Sequence, residues 1–263
     1  MSEDAVRDAV ENGVESAHGA VGTAGVTRAR AGDGIEILRL NRPAKRNALD
    51  SATLHELLAA LDAAATDPNT KAVVLSTTST TAFCAGADIS EELDTDGGQQ
   101  RMAAFCRLYA AVEACPVATI AVCVGNCVGA GAEIAAGCDL RVGGDNLKLA
   151  WAGARLGVPV GPARLGPLFG VSRAKDLIFT GRVVGMTEAE EIGFLHRSAA
   201  ADDAERVAVQ LAETIAAQSA TGIRQLKAMF RDLDASAQRV AHENELLMQF
   251  QRHGSGIPAR PAG

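Results

Sequence analysis

The run TIAVCV (119–124) is apolar and β-branched, and the residues that follow it, 125–137, carry four glycines among small side chains. The run reads as a buried strand, and AGAEIAAG (130–137) has the small, helix-permissive residues of a tightly packed helix start. The glycines between them mark a strand-to-helix turn. Strand signals recur on either side. GIEILRLNRP (34–43) stops at Pro43, KAVVLST (71–77) is apolar, and 117–124, 139–142 and 147–151 read as further strands. Helices fall between them: a Leu54, Leu57, Leu58, Leu61 stripe capped by Asp50 or Ser51 and ended by Asp67-Pro68, then 99–114, then 130–137. Alternation of this kind predicts an α/β core.

One residue in the central unit is out of place for packing alone. Glu133 sits in an apolar run three residues after Ala130, so it lies one turn on along the same helix face, with its side chain directed back toward the N-terminus. A free helix N-terminus presents unpaired amide N–H groups and a positive dipole end, which suit an anion or a developing oxyanion. A base would then stand beside an anion hole.

Composition excludes several classes. The chain has 263 residues and a formal net charge of −7, and nothing in that balance suggests nucleic acid binding, which wants a clustered basic face. No apolar run approaches the ~18 residues of a membrane span, and the acidic start MSEDAVRDAVENG is unlike a secretory signal. A cytoplasmic location is the expectation. The six cysteines form no CxxC pair and no zinc set, so they read as small core hydrophobes in a reducing compartment, with no metal and no disulfide.

Residues 1–25 read as a flexible tail, with Val6, Val10 and Val14 as a thin helical stripe, and order is expected from Val26. After about residue 172 the strand signals fade. Thr187 with Glu190 suggests a capping box. Val207, Leu211 and Ile215 form one apolar stripe, and Ile223, Leu226, Phe230 and Leu233 another, before a last helix near 236–252. This tail has more apolar stripe than one small core needs, so part of it is expected to pack on another subunit.

A second stretch, TTAFCAGADIS (80–90), follows the strand at 71–77 and places a glycine between small residues, letting backbone approach a ligand. If the N–H groups of Ala87 and Ala130 converge, they form a two-donor hole for a carbonyl oxygen that becomes negative in a transition state.

Together NRPAKRNAL (41–49), AFCAGADIS (82–90), GNCVGAGAEIAAGCDLRV (125–142), LGVPVGP (156–162) and FTGRVVGMTEAEEIGFL (179–195) resemble the enoyl-CoA hydratase/isomerase family, also called crotonases, over about 26–252. The resemblance implies an α/β spiral of ββα units over 26–198 holding an acyl-CoA site. It implies a C-terminal helical region, 199–263, used in homotrimers or dimers of trimers. The implied ligand is an acyl-CoA or enoyl-CoA thioester, with coenzyme A as part of the substrate and no separate cofactor. Its carbonyl would lie between the amides matching Ala87 and Ala130, where an enolate is stabilised. Ala85, Ala87, Asp88, Ile89 and Ser90 match the segment lining the pantetheine and acyl part. Arg46 and Ala48 match the loop under the nucleotide end, and Lys227 matches a helix lysine that reaches the coenzyme phosphate. Glu133 matches one of two glutamates that hydratases use on water and the substrate proton.

The second glutamate is absent: the alignment puts Gly153 at its position, and 146–175 contains no Asp or Glu. Hydration asks one group to take a proton from water and another to position it, so efficient hydration is not expected. Chemistry with one base, such as a double-bond shift, remains, as does acyl-CoA binding with little turnover. Asp88, Glu91 and Glu92 are the nearby acids that could supply a second group. A dinucleotide fingerprint at Gly129–Gly131 lacks its third glycine and its ribose-binding acid, and no GxSxG elbow occurs.

Overall fold

Each turn of the chain adds one strand to a large sheet, one to a small sheet and usually a helix. The structure, a computed structural model, describes residues 24–254, 256 and 257. A hairpin of β1 (Val26–Ala31) and β2 (Ile35–Leu40) opens the large sheet. Parallel strands β3 (Ala72–Thr77), β5 (Ala118–Cys123), β7 (Leu140–Gly144) and β9 (Arg197–Ala199) follow, in the order β1-β2-β3-β5-β7-β9. The small sheet is β4 (Ala82–Cys84), β6 (Asn126–Val128) and β8 (Lys148–Ala150), also parallel. Thus β3-β4 leads into α2 (Thr95–Ala114) and β5-β6 into α3 (Ala130–Gly137), while α1 (Ser51–Thr66) fills the step from β2 to β3. Asp50 caps α1 by accepting from the Thr53 amide at 2.8 Å.

The strands at the centre are buried on both faces, which is why they read as continuous apolar runs. Ala121 and Cys123 of β5 face the main core with α1, α2 and α3, whereas Ile120 and Val122 face a second core closed by α7 (Ala204–Ala216). The first part of the helical region therefore completes this chain's own core. It does so with Ala204, Ala208 and Ala212, not with the expected Val207, Leu211 and Ile215, which are only partly buried. Alanine lets the helix lie close on the sheet, and the larger side chains flank the contact.

Three other expectations are corrected. The glycines at 125 and 129 do not make one strand-to-helix turn but bracket the extra strand β6. The capping box at Thr187 and Glu190 is not formed, because α6 (Met186–Glu191) starts from Gly185 without a side-chain cap. A strand, β9, also occurs in the region read as all helical, held to β7 by backbone pairing. The remaining helices are α4 (Pro162–Phe169), α5 (Val171–Thr180), α8 (Ala220–Leu233) and α9 (Ser236–His253). All six cysteines are buried and unpaired. The Val6, Val10, Val14 stripe lies outside the described residues. Among the described residues no helix is long and apolar enough to cross a membrane.

Candidate active site

The small sheet ends at the two loops singled out by sequence. Beyond β4 the chain turns at Gly86 (φ 103°), and beyond β6 at Gly129 (φ 53°), conformations that favour glycine. Residues 85–88 are stitched to 46–49: Ala85 N–H donates to the Arg46 carbonyl (3.0 Å), Leu49 N–H to Gly86 (2.8 Å) and Asp88 N–H to Leu49 (2.9 Å). The amide between them, Ala87 N–H, makes no hydrogen bond among the described residues, and neither does Ala130 N–H in the first turn of α3. The loops meet backbone to backbone, since a Cβ placed on Gly86 would stand 3.7 Å from the Ala130 nitrogen. Gly131 is required for the same approach, because any side chain there would run into the Cys84 carbonyl.

Both amides border a cavity of about 460 Å³. Of the residues expected at a site, Arg46, Ala48, Ala85, Ala87, Asp88, Ile89, Ser90, Ala130 and Gly153 line it. Lys45 and Arg46, both exposed, give its rim two positive charges. The deeper walls come partly from Met102, Phe105 and Tyr109 of α2, the helix expected at 99–114 to line the pocket, and partly from Val158, Val160, Leu247 and Ile257, which sequence reasoning missed. Two neighbouring amides without partners suit a carbonyl oxygen that gains negative charge, and the apolar walls would strengthen their hold.

Glu133 and Lys227 do not line this cavity. Glu133 is 1% exposed, and its Oε2 accepts from Arg164 Nε at 2.7 Å. The other guanidinium edge of Arg164 pairs through Nη2 with Glu243 Oε1. Glu243 Oε2 in turn accepts from the amides of Gly161 (3.1 Å) and Ala163 (2.8 Å) at the start of α4. The Arg164 guanidinium lies 4.6 Å over the ring of Tyr109, which is in the cavity wall. The charged cluster is therefore one side chain behind that wall. Burial pushes Glu133 up to about 7, against the pull of Arg164 and with a further push from Glu243.

The other nearby acids are committed elsewhere. Asp88 Oδ1 accepts from the Ser90 amide (3.0 Å) and hydroxyl (2.6 Å), and Oδ2 accepts from Arg42 (3.1 Å). Burial alone would raise the Asp88 pKa, but these bonds from Ser90 and Arg42 outweigh it and hold the carboxyl below its usual range. Glu91 accepts from the Ser51 amide and from Arg101, Glu92 is exposed, and neither lines the cavity. Lys227 is the one buried side chain of α8: its Nζ donates to the Val117 carbonyl (2.9 Å) and pairs with Asp139 (2.6 Å) at a separate cavity. Gly153, in a 3-10 turn (Gly153–Leu156), has little room for a larger residue, since its Cβ would fall 2.8 Å from Val160 Cγ1.

Comparisons with known proteins point to one family. The profile of a family described as enoyl-CoA hydratase/isomerase matches residues 30–256. A curated protein named "Probable enoyl-CoA hydratase" from Mycobacterium bovis is 36% identical over 196 residues, covering 73% of this chain and 76% of that protein. The crystal structure of an enoyl-CoA hydratase from Bacillus anthracis superposes with a TM-score of 0.74 at 28% identity, over 86% of this chain and 91% of that one. An enoyl-CoA hydratase/isomerase from Xanthobacter autotrophicus Py2 shares the fold, with a TM-score of 0.80 at 24% identity and 90% of each chain covered.

Proposed function

Because this chain belongs to the enoyl-CoA hydratase/isomerase family, we propose that it acts on an acyl-CoA thioester whose carbonyl oxygen sits between the Ala87 and Ala130 amides, with Glu133 as its one base. The observation that carries this reading is the pair of unpartnered amides on one mostly apolar cavity with Lys45 and Arg46 at its rim. The amides would stabilise the enolate formed when a proton leaves the α carbon. The rim cations would attract the coenzyme phosphates. With Asp88 saturated by Ser90 and Arg42, and no acid in 146–175, the reaction is a proton shift along the acyl chain, such as double-bond isomerisation, rather than fast hydration. A glutamate introduced at Gly153 would not supply the missing group without moving Val160.

A coenzyme A thioester should raise the melting temperature by about 5–10 °C at a hundredfold excess over its Kd, from linkage and the size of the domain. Nicotinamide dinucleotides should give no shift. A shift with the dinucleotide and none with the thioester contradicts the reading.

One observation favours a second reading, in which the chain binds acyl-CoA with little turnover: Glu133 bonds Arg164 and does not reach the cavity surface. The two readings separate on whether Glu133 matters to turnover.

The assembly follows from α8, which turns its lysine inward and its apolar stripe outward. Leu226, Met229, Phe230 and Leu233 are exposed, Leu233 to 85%. We assign this face to a homotrimer, alone or paired into a hexamer. Light scattering at micromolar concentration should give at least three times the chain mass, and a monomer mass contradicts it. The six buried thiols suit a reducing compartment, so a cytoplasmic setting is part of this reading.

A further inference from the structure

The cluster behind the cavity wall is built from parts of the chain far apart in sequence. Glu133 comes from α3, Arg164 from α4 and Glu243 from α9, and all three are at most 5% exposed. Arg164 uses Nε on Glu133 Oε2 and Nη2 on Glu243, so its orientation is set from both sides and by the Tyr109 ring beneath it. Glu243 is itself fixed by two backbone amides of the α4 start. Glu133 Oε1 receives no hydrogen bond among the described residues. One turn after Glu243 on the same helix, Leu247 lines the acyl cavity.

We propose that Arg164 and Glu243 are positioning residues for Glu133: Glu243 holds the Arg164 guanidinium against Oε2, which leaves Oε1 as the oxygen that exchanges protons and ties the base to the docking of α9. This rests on the reading of Glu133 as the base. Two carboxylates share one guanidinium, so the cluster carries an excess negative charge when both are ionised. The other groups packed toward Glu133 do not offset it. Tyr109 from α2 is raised by burial and stays a neutral phenol, and Cys84 from β4 is pushed up to about 12 by burial. Cys106 of α2 is pushed up to about 11 by burial. Arg164 and Glu243 thus act on Glu133 in opposite directions.

The test reads the Glu133 carboxyl itself. Its protonated C=O stretch, identified as the infrared band lost in Glu133→Gln, is titrated in wild type, Glu243→Gln and Arg164→Lys. Wild type should titrate near 7, the value to which burial pushes this group. Glu243→Gln removes the extra negative charge and should move the band down by about one pH unit, a tenfold change in proton affinity. Arg164→Lys breaks the two-sided grip and should move it up by a similar amount. KM for the thioester should stay within twofold in both variants, while the pH midpoint of kcat follows the band.

Shifts in the same direction, or a band unmoved in both folded variants, overturn the proposal. So does a wild-type band at the ordinary carboxyl value. If Glu243→Gln fails to fold, the Arg164→Lys titration decides alone: an upward move supports the proposal, and no move or a downward move overturns it. Opposite shifts of the band without any matching change in kcat leave the positioning role standing and refute Glu133 as the base.

Discussion

Glu133→Gln lowers thioester proton transfer by about 10²–10⁴-fold while leaving the Kd for a saturated acyl-CoA within twofold. The residue does not line the cavity, so its loss removes none of the surface against which the ligand packs. Glutamine keeps the size, and its carbonyl can still accept from Arg164 Nε, so the cluster stays assembled. What disappears is the base. In wild type that base must be ionised, and burial holds it up to about 7, so the rate should climb tenfold per pH unit below 7 and level above it. Exchange of α protons into deuterated water, followed by NMR, measures both effects. A variant as fast as an active wild type would refute Glu133 as the base, and little exchange in wild type itself would leave binding with little turnover as the function.

The same substitution has a signed effect on stability. The folded value of Glu133 lies above its unfolded value of 4.5, so its contribution is fully present below about 4.5 and is lost as pH rises through about 7. Wild type should therefore lose stability between those limits, and Glu133→Gln should lose less. Melts at the two ends of this window report the difference.

Arg164→Met destabilises the fold by about 3–5 kcal/mol at neutral pH, the cost of leaving buried charge uncompensated. Methionine fills much of the same volume, so packing is not the main loss. Glu133 and Glu243 would face each other with no cation, and the Tyr109 ring would lose the guanidinium stacked on it. The penalty should shrink toward pH 5, as one carboxyl takes up a proton. Adding Glu133→Gln and Glu243→Gln to Arg164→Met should recover most of the lost stability, since every member is then neutral. Denaturant unfolding at both pH values tests this, and a loss below about 1 kcal/mol at neutral pH would show that the ion pairs do not bear on folding.

Much of the architecture was legible where a segment has a long, uniform character. The runs at β3 and β5 are apolar because both faces are covered, and Asp50 sits at the start of α1 with the side chain that a cap requires. Of the small sheet only KLA was legible, inside the strand expected at 147–151. AFC and NCV are three residues each, too short to show a period, and they form only because their neighbours line up beside them. The inward turn of α8 was hidden for a related reason. Its apolar stripe is plain in sequence, but whether it faces in or out depends on Lys227 finding Asp139 and the Val117 carbonyl, far away along the chain.

The candidate site divides the same way. The two glycine loops and the residues around them were found from local sequence and lie together on one cavity. Glu133 stood out as a single acid in an apolar helix, but its partners did not. Arg164 carries the same signal, a lone charge in the short apolar helix PARLGPLF, and it went unread. That the two would meet, and that Glu243 would join them from the last helix, is set by tertiary packing across intervals of 31 and 79 residues.

The most direct test of the central claim is a crystal structure with a saturated acyl-CoA bound. The account predicts the thioester oxygen about 3 Å from both the Ala87 and the Ala130 nitrogens, with the acyl chain against Tyr109 and Leu247 and the nucleotide end near Lys45 and Arg46. A thioester oxygen out of reach of either amide, or a ligand seated in another cavity, would contradict it.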